Sequence, residues 1–359
     1  MRMGWLLVLL APLALAGTVG NANGALALAA CEIAGLAQSA RCGALVVPEN
    51  PARAEGRHLS INVVVVPAIA SPTADPIAVL MGGPGEDATG AAAELAEQFA
   101  AARQDRDLLL VDQRGTGRSG ALHCDLYSAT NPAASLRDLF PVAAVQGCAR
   151  QLSRHADLTQ YTYTHFANDL EQVRVALAYG PLNLFAGSYG TRAAQVFIRA
   201  YPGSVRTAYL GSVVPIDVAN PGPFATTSQA ALVKTLDACM ADSDCKAAFP
   251  NLRQEFAEVV MRLDTGKVNV PIPGSTATAV LARGRVAEWF RAKLYRPRSA
   301  TSLPWLIHRA YLGDWQPIAE GILSDARTYD SALSFGLLFS ITCSDDVPFV
   351  REQELEPEA

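Results

Sequence analysis

Ser188 is the residue of this sequence best placed to act as a nucleophile. An apolar run at residues 182–185 leads into a small-Gly-Ser-Tyr-Gly turn, and a helical pattern follows from Tyr189 to Tyr201. Strand, sharp turn and helix with a serine at the apex is the context of a nucleophile elbow. Small flanking residues are needed there because the backbone is strained and the strand and helix nearly touch. Gly190 fits the motif, and Ala186 stands where the motif usually has its first glycine. The alternative interpretation of Ser188 is an ordinary serine at the N-terminus of a helix.

Two further glycine-bearing motifs follow predicted strands. Gly82-Gly83-Pro84-Gly85 comes after the apolar run 77–81, and Asp112-Gln113-Arg114-Gly115-Thr116-Gly117-Arg118-Ser119 comes after 108–111. Sites in open parallel sheets form outside the carboxyl ends of the strands, so we expect all three motifs to converge. Acyl transfer also needs two N–H groups aimed at the developing oxyanion. A Gly-Gly turn next to Ser188 can present one such N–H without a side chain in the way, and Tyr189, the residue after the serine, supplies the other. The resemblance described below implies Ser188 as nucleophile, with the N–H groups of Gly83 and Tyr189 as oxyanion hole.

The residues around these motifs have less direct predicted roles. We expect Asp112 to hydrogen-bond loop amides at a strand end rather than to catalyse. Tyr189 and Arg192 also fit plain roles as packing and surface residues. Glu86 and Asp345 are candidates to hold a substrate ammonium group. The structural loop residues near the predicted site are Gly82, Pro84, Gly85, Asp112 and Arg114, which braces the same loop.

The order of the predicted elements indicates an α/β fold. Strand patterns at 43–48 and 58–66 favour an antiparallel hairpin. Alternating strands and helices up to about residue 210 then favour a mostly parallel sheet with helices on both faces. Further on, helical patterns dominate, at 228–240, 250–263, 284–294, 303–312 and 333–341. The predicted organisation is a core at 31–219, a mainly helical cap or lid at 220–345, and a frayed acidic tail at 346–359.

The composition and the N-terminal residues limit the class of protein and the compartment in which it works. With 359 residues, half of them hydrophobic, one large domain or two smaller ones are expected. The net charge of −5 gives no sign of the positively charged surface that nucleic-acid binding needs. Residues 1–20 read as an export signal, too short for a convincing membrane span. We therefore expect a periplasmic or secreted protein, with lipid anchoring at Cys31 after Leu28-Ala29-Ala30 as the alternative.

The seven cysteines fit an oxidising compartment. Cys343 is left over, either as a thiol whose partner is missing or as a plain buried thiol. No Cys/His spacing resembles a zinc site, and we expect no metal or cofactor. The other six fall in near pairs that disulfides can close: Cys31 with Cys42, Cys124 with Cys148, and Cys239 with Cys245.

Together these motifs resemble the α/β-hydrolase superfamily, and more narrowly its exported proline iminopeptidase and tripeptidyl aminopeptidase group. The resemblance spans roughly residues 40 to 350 and includes the Tyr201-Pro202…Val205-Arg206 continuation of the elbow. It implies the roles given above for Ser188, Gly83 and Tyr189, and a helical cap that selects short peptides with a free amino terminus. Residues 341–346 resemble the segment in which such chains leave the cap and return to the sheet.

The sequence also departs from the family pattern. Met81 stands where many relatives have histidine, and Gly211-Ser212 replaces a frequent Asp-Gly. The fold orders its triad as Ser, then Asp or Glu, then His. Only His308 follows the serine, in an amphipathic segment that favours a structural role. We expect the acid, the base and the last strands beyond about residue 350, on the order of 100 further residues.

The sequence therefore predicts a serine exopeptidase that releases N-terminal residues or short peptides and is inactive or impaired without its acid and base. One alternative is an esterase or lactonase on the same fold. Another is a non-catalytic, peptide-binding remnant. The expected partner is a small peptide or acyl substrate.

Overall fold

The computed structural model describes residues 26–126 and 132–351, with the side chains of 327 and 329–331 left out. The predicted export signal at 1–20 and the part of the predicted tail at 352–359 lie outside the described residues. Where the chain is described, no helix is both long and apolar enough to cross a bilayer.

A seven-stranded sheet forms the centre of the fold, in the order β1-β2-β3-β5-β4-β6-β7. The neighbours β5-β4-β6-β7 run parallel, whereas β1, β2 and β3 form an antiparallel extension and β3 pairs antiparallel with β5. The sheet strands are β1 (Ala29–Cys31), β2 (Ala40–Pro48), β3 (His58–Val66), β4 (Ile77–Leu80), β5 (Leu108–Val111), β6 (Leu182–Gly187) and β7 (Val205–Gly211).

The two inner parallel strands are buried on both faces, as their unbroken apolar sequences predict. All four residues of β4 and of β5 are buried. Because side chains alternate across a strand, Ala78 and Leu80 enter one hydrophobic cluster, while Ile77 and Val79 enter the cluster on the opposite face. Helices cover both faces, and the carboxyl ends of the strands stay free to carry a site.

Thirteen α-helices lie in the described residues, and a second, two-stranded sheet joins β8 (Asn269–Pro271) to β9 (Thr278–Val280). The first five are α1 (Ala92–Gln98), α2 (Pro132–Ser135), α3 (Val142–Leu152), α4 (Tyr163–Ala176) and α5 (Tyr189–Ala200). The remaining eight are α6 (Phe224–Ala241), α7 (Ser243–Ala248), α8 (Leu252–Asp264), α9 (Arg283–Lys293), α10 (Pro297–Ala300), α11 (Leu303–Tyr311), α12 (Gln316–Ala332) and α13 (Phe335–Ile341).

The later helices build a second hydrophobic core. Leu236 of α6, Trp289 of α9, Ile307 of α11 and Ile318 of α12 belong to one cluster that is separate from the sheet clusters. In contrast, α13 packs its buried residues into the sheet core. The domain boundaries at 219, 220 and 345 remain a prediction. Helix α13 lies within the range 220–345 that was expected to form the cap, but its buried side chains pack with the sheet.

Several elements have no counterpart in the sequence prediction. Helices α2 and α3 are among them, and the helix at 142–152 buries only Leu152. Thr162 caps α4, since its hydroxyl accepts from the His165 N–H at 3.3 Å. The strands β8 and β9 have one buried residue each, too few for a periodic pattern.

The structure forms the three disulfides that the cysteine spacing predicts. Their Cα–Cα separations of 5.2–5.8 Å are ordinary for a disulfide. Among the described residues, Cys343 is the one free cysteine, and it is exposed rather than buried. Three closed bridges are typical of an oxidising, exported environment.

Candidate active site

Ser188 occupies a strained bend between β6 and α5. Its backbone has φ 51° and ψ −123°, a conformation that non-glycine residues rarely adopt and that clusters at functional sites. Ala186 before it and Tyr189 after it are buried, whereas Ser188 itself is exposed. The chain therefore holds a hydroxyl at the surface on a rigid, buried support.

The bend is pressed against the end of β4. Ala186 pairs with Leu80 in the parallel ladder, and the N-terminus of α5 crosses directly over the end of that strand. A Cβ on Gly190 would overlap the Leu80 carbonyl oxygen and lie 2.7 Å from the Met81 carbonyl oxygen. This contact explains why the motif needs glycine there. It also brings Ser188 beside the turn that follows β4.

Substituting Gly190 with alanine tests this close approach. The added methyl group meets backbone oxygens, which cannot move aside as a flexible side chain does. We expect Gly190→Ala to lower the free energy of unfolding by about 1–3 kcal/mol or more, measured by urea titration. The matched control is Gly187→Ala, because a Cβ at Gly187 meets nothing within 4 Å. Equal stability of the two variants would contradict this geometry.

The glycine turn beside Ser188 uses backbone conformations that other residues avoid. Gly83 has φ +105° and Gly85 has φ +117°. The Ser334 N–H donates to the Gly85 carbonyl oxygen at 3.0 Å, so the residue before α13 holds the turn in place. Gly83 is exposed at the end of the sheet, next to the bend. The turn can thus present a main-chain amide without a side chain in front of it.

Asp112 is fully buried, and its carboxylate accepts hydrogen bonds from the surrounding loops. Its carboxylate accepts from the Thr89 N–H at 2.9 Å, the Thr89 hydroxyl at 2.8 Å, Asn62 Nδ2 at 2.9 Å and the Arg118 N–H at 3.1 Å. With four donors in place, the carboxylate is occupied in holding loop amides. These contacts agree with the expected structural role.

Arg114 anchors the same loop to the helix layer. Its guanidinium makes two bonds of 2.7 Å to the Asp169 carboxylate, and both side chains are buried. The remaining nitrogen donates to the carbonyl oxygens of Glu49 and Gln160 at 2.8 and 2.9 Å. Such bidentate pairing fixes orientation, which makes Arg114 a brace for the sheet edge that carries the site.

Sequence reasoning missed the partner of Arg192. A surface role is wrong for this residue, because Arg192 is buried, forms an ion pair with buried Asp346 and donates to the Pro215 carbonyl oxygen. Asp346 was expected in the frayed tail but joins this network, and it also accepts from the Asn220 N–H at 3.2 Å. The pair ties the elbow helix to the segment after α13.

Tyr189 and Asp345 take packing roles below the elbow. The Tyr189 ring stacks on Tyr163 with centroids 5.1 Å apart, and its hydroxyl accepts from Gln113 Nε2 at 2.6 Å. Burial raises the pKa of the Tyr189 phenol, so it stays neutral. Asp345 accepts from the Tyr163 N–H at 2.8 Å, and burial raises the pKa of this carboxyl. Asp345 therefore caps α4, which leaves Glu86 as the stronger candidate for a substrate ammonium group.

The described histidines do not contact the candidate nucleophile. His308 lies in α11, where its Nδ1 is 2.9 Å from Glu255 Oε2 and its ring meets the edge of Phe249, as expected for a structural residue. Within residues 26–126 and 132–351, no side chain hydrogen-bonds to the Ser188 hydroxyl. The same residues contain no group of three His, Cys, Asp or Glu side chains suited to hold a metal ion.

The comparison with protein families agrees with this architecture. The family model for the alpha/beta hydrolase fold matches residues 75–235, which include the glycine turn and the elbow. The protein therefore has the α/β-hydrolase fold, the class that the sheet order and the bend at Ser188 define. No curated protein sequence matches the chain.

Solved structures similar to this chain are distant. MGS-M2, an α/β hydrolase enzyme from a Medee basin deep-sea metagenome library, is 15% identical, with 84% of this chain and 73% of that chain covered and a TM-score of 0.34. An α/β hydrolase from Novosphingobium aromaticivorans is 16% identical, with 64% and 66% covered and a TM-score of 0.30. The N-acyl homoserine lactonase AidH is 16% identical, with 45% of each chain covered and a TM-score of 0.27.

Proposed function

We propose that this protein is a serine hydrolase that forms an acyl-enzyme on Ser188. The observation that carries the proposal is the exposed serine at φ 51° on a buried strand–helix bend, beside an exposed glycine turn. Such a bend presents the hydroxyl to an acyl group while the rigid sheet keeps it in place. The proposal assigns the nucleophile and the oxyanion hole, and it assigns no described histidine as general base.

In this proposal, the N–H groups of Gly83 and Tyr189 stabilise the tetrahedral intermediate. The Tyr189 N–H belongs to the first residue of α5, where main-chain amides have no partner within the helix. The Gly83 amide lies in the adjoining turn with no side chain to block it. Two such donors placed before the reaction begins stabilise charge that develops only in the transition state.

The substrate in this proposal is a short peptide with a free amino terminus. The support is the set of motifs shared with exported aminopeptidases: the Gly-Gly-Pro-Gly turn, Asp-Gln-Arg-Gly-x-Gly-x-Ser, and Gly-Ser-Tyr-Gly-Thr-Arg at the elbow. The helices α6 to α12 also follow the elbow, where a substrate-selecting cap is expected. Release of an N-terminal residue transfers that residue to Ser188 and then to water.

Rates with aminoacyl arylamides and with aryl esters distinguish an aminopeptidase from an esterase. With imidazole supplied as an external base, we expect hydrolysis of L-alanyl or L-prolyl p-nitroanilide, and loss of that hydrolysis when the amino group is acetylated. Absorbance of released p-nitroaniline measures both rates. Hydrolysis of p-nitrophenyl acetate alone would instead assign an esterase. Binding of peptides without any hydrolysis would assign the non-catalytic alternative.

A further inference from the structure

Glu86 folds back over the start of the glycine turn. Its Oε2 accepts from the Gly82 N–H at 3.1 Å, and a Cβ on Gly82 would lie 3.1 Å from the same oxygen. The carboxylate is therefore held at the carboxyl end of β4, one residue before Gly83. It is half-buried, so the turn fixes its place while leaving part of it open.

The charge of Glu86 has no counterpart in the described part of the chain. No lysine, arginine or histidine there lies within ion-pair distance of it, and the Gly82 amide is its one described partner. Asp112 in the same region has four donors, whereas Asp87, like Glu86, accepts from one backbone amide, the Gly90 N–H at 2.8 Å. Of the two carboxylates with a single amide donor, Glu86 is the one bound to the glycine turn itself.

A carboxylate with no counter-ion among the described side chains opposes the proposed chemistry in this place. An oxyanion bound at the Gly83 amide would develop beside the Glu86 carboxylate, and like charges at such short range repel. A substrate that brings its own positive charge removes the conflict. In an aminoacyl group, the α-nitrogen and the carbonyl oxygen are separated by three bonds of 1.2–1.5 Å, so they lie about 3 Å apart.

We propose that Glu86 binds the α-ammonium group of the residue whose carbonyl carbon Ser188 attacks. This inference rests on the proposed function and narrows it to removal of N-terminal residues one at a time. Glu86 then determines specificity, because an acetylated or amine-free substrate leaves its carboxylate unpaired next to the oxyanion.

The substitution Glu86→Gln separates charge from structure, since the amide oxygen still accepts from the Gly82 N–H. We expect kcat/KM for L-alanyl p-nitroanilide to fall about 10- to 100-fold, the range for a hydrogen bond to a charged group. The rate with p-nitrophenyl acetate should hold or rise. Glu94→Gln is the matched control, because Glu94 is an exposed acid on α1, and it should change neither rate.

A second measurement uses the unaltered protein. L-Alaninamide should slow the hydrolysis of p-nitrophenyl acetate, N-acetyl-L-alaninamide should not, and E86Q should remove the difference. Equal losses of amide and ester hydrolysis in E86Q, or equal inhibition by both amides, would overturn the inference. Those results leave the proposed function standing if Ser188→Ala still abolishes ester hydrolysis. If Ser188→Ala changes no rate, the proposed function fails and the Glu86 inference fails with it.

Discussion

With imidazole supplied as an external base, Ser188→Ala is expected to lower the hydrolysis of p-nitrophenyl acetate to the rate that imidazole alone gives. The reason is that the acyl group must bond to the Ser188 oxygen, and alanine has no atom there. The bend itself survives, since alanine is as small as serine. The decrease should appear in kcat and not only in KM, and a stopped assay with the purified protein measures both.

Ser212 provides a matched control for this substitution. It is an exposed serine directly after β7, and its φ of 52° is nearly that of Ser188. It therefore shares the backbone strain and the exposure, but it does not precede a helix that contacts the glycine turn. We expect Ser212→Ala to keep the full rate. Loss of activity in S212A with retention in S188A would instead assign the nucleophile to Ser212 and contradict Ser188.

Arg114→Met is expected to cost about 3–5 kcal/mol of unfolding free energy. The substitution leaves the buried Asp169 carboxylate without its cation and removes the donor of the Glu49 and Gln160 carbonyl oxygens. Burial already raises the pKa of Asp169, and the arginine beside it is the main group that opposes that penalty, ahead of His165. Urea unfolding with the disulfides intact measures the loss.

Two comparisons separate the Arg114 ion pair from a general effect of losing a charge. Arg118 lies in the same loop with an exposed side chain, so Arg118→Met should change stability by no more than about 0.5 kcal/mol. The double variant Arg114→Met with Asp169→Leu should recover part of the loss, since no uncompensated charge stays buried. A loss below about 1 kcal/mol in R114M would contradict the brace.

The sequence predicts the core of the candidate site well because its signals are local. Unbroken apolar runs mark the buried parallel strands β4 and β5. Gly83 and Gly190 mark the points where the backbone must bend or approach another segment closely. Pairing of Ala186 with Leu80 then brings the two motifs together. The expected neighbourhood follows from strand order and needs no long-range side-chain contact.

The helix α12 shows why other elements escaped prediction. Gly321 lies in its middle, and glycine in a helix usually weakens the pattern. In the structure, a Cβ on Gly321 would lie 2.9 Å from Trp289 Cε2, so the glycine makes room for the indole ring. Ile318 and Ile322 have the spacing of a helix face and are the signal that was available.

The pair of Arg192 and Asp346 escaped prediction for a different reason. The two residues are 154 positions apart, and no local pattern links them. Asp346 precedes an acidic stretch, which made the segment resemble a tail.

Mass spectrometry of the protein after treatment with a fluorophosphonate tests the central claim most directly. Imidazole should be included as a small external base, because Ser188 is exposed and no described side chain accepts its proton. We predict one adduct on the peptide that contains Ser188, faster labelling with imidazole, and no adduct in Ser188→Ala. An adduct on another serine, or no adduct on folded protein in the presence of imidazole, would contradict Ser188 as the nucleophile.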